Sequence, residues 1–120
     1  MHAINWFEIP VLDLDRAIRF YETLFATPLQ RTDCGGGMAI FPYQEGGVGG
    51  GLVQSDSISP AASGVLPYLN AKDGLDTLLG RLQTLGASIT LPKTEISPEI
   101  GHIAIFIDSE GNRIGLHQEP

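Results

Sequence analysis

The chain of 120 residues is poor in three things. It has one cysteine, Cys34, so no disulfide can form within it, and a reducing compartment such as the cytoplasm is expected. It has 7 Lys and Arg against 14 Asp and Glu, a formal net charge of −7. A phosphate backbone needs a basic surface, so nucleic acid is excluded as the expected partner. It has no apolar run near the roughly 20 residues that span a bilayer, and its start, MHAINWFEIP, lacks the basic-then-apolar order of a secretion signal. No membrane association is expected. What remains is ordinary globular composition, 42% hydrophobic and 18% charged, in a length that supports one core.

Two segments have helical spacing. Ala17, Phe20, Tyr21 and Leu24 recur at intervals of three and four, which predicts a helix over about 14–25, with Asp13 as N-cap. Leu75, Leu78, Leu79, Leu82 and Leu85 predict a second over about 74–85, with Asp73 as a candidate cap and Gly86 as the stop. The remaining apolar runs are short and bounded by Gly, Pro, Asn or Asp, which predicts strands over about 3–11, 29–32, 38–42, 51–55, 65–71, 88–91, 102–107 and 113–118. Ser109-Glu110-Gly111-Asn112 is a hairpin turn between the last two. The glycine-rich run Gly46–Gly51 lacks the Lys and Ser/Thr of a phosphate loop and no helix follows it, so it is read as a hairpin loop.

The order is β-α-β-β-β, a turn-rich linker over Ser55–Gly64, then β-α-β-β-β again. Asp15, Ile18, Tyr21 and Leu24 align with Asp76, Leu79, Leu82 and Leu85, and Gly51-Leu52-Val53-Gln54 with Gly115-Leu116-His117-Gln118. The expected fold is α+β: one domain over 1–120, built of a module 1–56 and a module 65–120.

That tandem order resembles the vicinal oxygen chelate superfamily, which includes glyoxalases, bleomycin-resistance proteins and extradiol dioxygenases. Two segments carry the resemblance: the D-L-x-x-A-x-x-F-Y pattern of Asp13, Leu14, Ala17, Phe20 and Tyr21, and the D-x-x-G-N pattern of Asp108, Gly111 and Asn112. The opening Trp6, Glu8 and Ile9 is similar to a branch described as related to lactoylglutathione lyase. The resemblance implies paired modules forming a cleft, a homodimer, and four metal-ligand positions. Carried over one at a time, those positions fall on Trp6, Leu66, Gly51 and Gly115, none of which offers a side-chain ligand. No metal or other cofactor is therefore expected, and glyoxalase I or dioxygenase chemistry is disfavoured.

Alternation along strands places Glu8 with Trp6, Tyr68 and Asn70 with Leu66, Val53 with Gly51, and His117 with Gly115. The expected site is a small-molecule pocket. Trp6, Leu66, Asn70 and Val53 are its binding residues, and Glu8, Tyr68 and His117 are its candidate acid–base groups. Glu8 is expected to be buried, which would favour its protonated form and suit it as a general base. A structural ion pair is its plainer role. His117 is alternatively a surface histidine near the end of the chain, and Glu8 with His117 could hold a metal in a displaced site. His2 and His102 are read as surface histidines and Cys34 as an exposed thiol. Three readings stay open. One is a lyase- or isomerase-type enzyme acting on a small carbonyl or hydroxy compound. Another is a binding protein that sequesters a small molecule, and the third is an interaction module with a filled cleft.

Overall fold

A computed structural model of the chain describes residues 2–32 and 37–120. Cys34 lies outside the described residues. The chain divides into two compact units, Met1–Pro60 and Ala61–Pro120.

The first unit contains β1 (Trp6–Pro10), α1 (Leu14–Phe25), β2 (Gln30–Thr32), β3 (Met38–Ile40) and β4 (Gly49–Val53). Its sheet has the order β1-β4-β3-β2. β1 runs parallel to β4, and the other neighbours are antiparallel. The second unit repeats this with β5 (Tyr68–Asn70), α2 (Leu75–Thr84), β6 (Ser88–Ser97), β7 (Gly101–Ile107) and β8 (Arg113–Gln118) in the order β5-β8-β7-β6. β5 is parallel to β8, and the rest are antiparallel. The architecture is α+β, as the sequence predicts.

Each helix covers one face of its own sheet. α1 presents Leu14, Ala17, Phe20, Tyr21 and Leu24 to β3 and β4, where Ala39 and Leu52 are fully buried and Ile9 of β1 nearly so. Phe41 fills the end of this layer, edge-on to Tyr21 and Phe25 and tilted against Phe7. α2 presents Leu75, Leu78 and Leu82 to its own sheet, where Leu116, Ala104 and Phe106 are buried. Side chains alternate along a strand, so the opposite face of each sheet carries no helix of its own unit.

The two helices start in one shared way. The amide N–H of Leu14 donates to Gln54 Oε1 at 2.9 Å, and that of Leu75 donates to Gln118 Oε1 at 2.7 Å. The matched glutamines that follow the two Gly-Leu-x segments thus satisfy first-turn donors which a helix leaves unpaired. Asp13 also caps α1, accepting from Arg16 N–H at 3.1 Å. Asp73 does not cap α2. Gly74 occupies the cap position, and Asp73 instead pairs with Arg81. α1 ends at Ala26 in the left-handed conformation, a stop with no glycine to announce it.

Several strand limits differ from expectation. β1 begins at Trp6 rather than Ala3, and β3 ends at Ile40, before Pro42. β4 begins at Gly49, so three glycines of the predicted loop are in the sheet. β5 begins at Tyr68, because Pro67 has no N–H to donate to a ladder. β6 runs ten residues, through Pro92 to Ser97. It is an edge strand with several register shifts against β7, the setting in which a sheet tolerates proline.

Candidate functional site

The helix-free face of the first sheet is built in rows across its strands. One row reads Glu8, Gly51, Ile40 and Gln30; the next reads Pro10, Val53, Met38 and Thr32. Trp6 and Gly49 begin a third. Pro10, Met38, Ile40 and Val53 are half-buried, so the face is apolar and partly open to solvent. Trp6, Glu8 and Val53 share this face, as alternation predicts. Met38 and Ile40 join them, although sequence reasoning missed both. Their alternation around Ala39 was the available signal.

Trp6 is 40% exposed and Tyr43 58%. Their rings meet edge to face, with centroids 6.5 Å apart and planes at 84°. A Cβ at Gly49 would lie 3.0 Å from atoms of both rings, so a side chain there would push the rings aside. The indole Nε1–H of Trp6 donates to Glu8 Oε2 at 3.3 Å. Glu8 is exposed, not buried. β1 is an edge strand with one helix-free face, and that face carries Glu8. The expectation of a desolvated carboxylate is therefore corrected. No Lys or Arg pairs with it among the described residues.

In the second unit the helix-free face carries the rows Tyr68, Gly115, Ile105, Leu91 and Asn70, His117, Ile103, Thr94. Tyr68 is 43% exposed, and its ring occupies the space that a Cβ at Gly115 would need. Asn70 is exposed beside it. Leu66 is half-buried and precedes β5, so it is not a strand residue. His117 is half-buried, and its Nε2 lies 2.6 Å from the carbonyl oxygen of Ile100. A carbonyl only accepts, so Nε2 carries the proton and Nδ1 is the nitrogen left for other partners.

The four metal-ligand positions do not fit an ion. Trp6 and Leu66 have no suitable donor atom. A side chain at Gly51 would put its Cβ 2.7 Å from the backbone oxygen of Ala39, and the place beside Gly115 is taken by Tyr68. Among the described residues, no three His, Cys, Asp or Glu side chains are grouped to hold a metal. A hollow of about 740 Å³ borders the start of α1 and meets the open face at Thr32 and Met38. It is lined by Asp13, Asp15, Arg31, Thr32 and Gln54 among others, and it does not include Trp6, Glu8 or Tyr43.

Two four-stranded mixed sheets, each with one helix, define a class: the chain has the glyoxalase/bleomycin-resistance/dioxygenase fold. It is similar over 100% of its length to a glyoxylase/bleomycin resistance protein/dioxygenase domain from Frankia sp. EAN1pec, at 21% identity and TM-score 0.69, covering 99% of that chain. TnmS3, an antibiotic binding protein from Streptomyces sp. CB03234, is similar at 26% identity and TM-score 0.70, covering 100% of this chain and 98% of that one. The genomically encoded fosfomycin resistance protein FosX from Listeria monocytogenes is similar at 16% identity and TM-score 0.67, covering 100% and 95%. No protein-family model matches the sequence, and no curated protein matches it either. No helix among the described residues is long and apolar enough to cross a membrane.

Proposed function

We propose that the chain binds a small organic molecule on the helix-free faces of its sheets, without a metal and without chemical turnover. The observation that carries this is the first unit's face. Half-buried Pro10, Met38, Ile40 and Val53 lie together on it, with Trp6 exposed at one end. Apolar walls of this kind supply contact area, and a few polar groups set orientation. Glu8 and Gln30 would serve that role here, and Asn70, Tyr68 and His117 on the second sheet. The similarity to an antibiotic binding protein and to a fosfomycin resistance protein supports a small-molecule ligand. A homodimer and a cytoplasmic location complete the proposal.

Trp6 is the chain's one tryptophan, so its fluorescence reports on this face directly. Titration with proflavine and with anilinonaphthalene sulfonate is expected to give saturable quenching, and the ligand is expected to be recovered unchanged. No saturable response from any aromatic probe would overturn the reading.

A second reading is favoured by the Trp6–Glu8 hydrogen bond, which presents an oriented carboxylate on the open face. There Glu8 is the general base of a lyase- or isomerase-type enzyme. A product formed from a small carbonyl compound, and lost in Glu8→Gln, would establish it over simple binding.

A further inference from the structure

Trp6, Tyr43, Gly49 and Glu8 form a corner with a chemistry of its own. Two aromatic planes meet at 84°, a glycine floor keeps them close, and a carboxylate adjoins the indole edge. The negative charge of an aromatic ring is on its face, and a diffuse cation over an exposed face is attracted to it; Trp6 and Tyr43 are both partly exposed. The indole N–H lies in the ring plane, so donating it to Glu8 takes neither face of the indole, while the edge-to-face contact with Tyr43 covers one face of the pair. The hydrogen bond also fixes the carboxylate close enough to add a Coulomb attraction. A compact divalent metal suits this corner poorly, because the rings offer no lone pair and one carboxylate is too few ligands. An organic ammonium suits it well, being large, weakly hydrated and apolar at its surface. The chain's net charge of −7 favours the approach of a cation from solution.

We propose that this corner recognises an alkylammonium group, and that the small molecule bound by the protein carries one. The inference rests on the reading of the open face as the ligand surface. It adds a polarity which that reading does not require.

The test compares choline with 3,3-dimethylbutan-1-ol, which replaces the charged nitrogen by carbon at the same shape. Binding to the full chain is followed by Trp6 fluorescence and by calorimetry. Choline is expected to bind at least about tenfold more tightly than the neutral alcohol, the scale of a partly desolvated cation–π contact. Tyr43→Leu and Glu8→Gln are each expected to weaken choline by at least about threefold and to leave the alcohol unchanged. Both side chains are exposed, so neither change threatens folding, and circular dichroism verifies it. Equal binding of the two compounds would overturn the ammonium inference and leave the open face standing as an apolar site. The ammonium inference also falls if neither compound binds while proflavine or anilinonaphthalene sulfonate still quenches Trp6. Failure of every probe would overturn both the inference and the reading beneath it.

Discussion

Asp108 is 5% exposed, yet it is well satisfied. Its carboxylate accepts from the N–H of Glu110 and of Asn112 and from the Asn112 side-chain amide, at 2.9 to 3.0 Å. Asn112 Oδ1 in turn accepts from Ala61 N–H, and Arg113 N–H donates to the Ala61 carbonyl. The D-x-x-G-N turn therefore shapes the β7–β8 hairpin and also fastens the chain leading into β5. Gly111 contributes its left-handed backbone at the tip. Asp108→Ala strands three buried donors, each costly to leave unpaired. A loss of at least about 2 kcal/mol is expected, read as a lower urea midpoint. The helix-starting glutamines make a milder case. Gln54→Ala and Gln118→Ala should each cost about 1 kcal/mol, the scale of a lost cap. An unchanged midpoint in both would mean that water replaces the glutamine without penalty.

Glycines divide by element. Gly80 lies inside α2 with nothing within 4 Å of its missing Cβ, so Gly80→Ala gains helix propensity at no steric cost. It should stabilise by about 0.5–1 kcal/mol. Gly51 lies in β4, where a Cβ would approach the Ala39 carbonyl of β3. Gly51→Ala should destabilise by about 1–3 kcal/mol, the range for overpacking. Thermal melts of the pair are expected to move in opposite directions, and a shared direction would contradict this account of the two sites.

The same scale shows what was legible in the residues. α1 could be bounded at Leu14 and Phe25 because twelve residues of strong periodicity follow a capping aspartate. β8 could be bounded at Arg113 and Gln118 because a turn signal precedes it. The tandem order was legible for the same reasons, and with it the fold. Limits set by pairing were not. β6 continues past Pro92 only because its far edge needs no partner, and no local pattern states which strand will be an edge. The candidate site was half legible. Alternation placed Trp6, Glu8 and Val53 on one face, but the burial of Glu8 was misjudged, since β1 has a neighbour on one side only. Tyr43 was missed because it comes from a loop, where periodicity gives no direction.

At the scale of the whole molecule, the question is whether this fold works here with an ion. Each unit can be judged alone. In the first, Trp6 and Gly51 stand where ligands would be, and Glu8 is the carboxylate nearby on β1. In the second, Leu66 and Gly115 stand there, and the proton on His117 Nε2 is committed to Ile100. A catalytic metal site needs about three protein ligands with fixed geometry. Among the described residues, no group of three such side chains is present on either face. Restoring a ligand by substitution would also fail locally, because the space at Gly51 is bounded by backbone and that at Gly115 by the Tyr68 ring. Protein equilibrated with manganese, iron, nickel and zinc, then dialysed, should therefore retain well below one ion per chain by elemental analysis. Retention near one ion that disappears in Glu8→Gln or in His117→Ala would mean that a side chain of one of the open faces holds it, and the metal-free proposal would fall. Retention that survives both changes would place the ion elsewhere. The open faces would then remain surfaces for an organic ligand, and the choline comparison would still decide its charge.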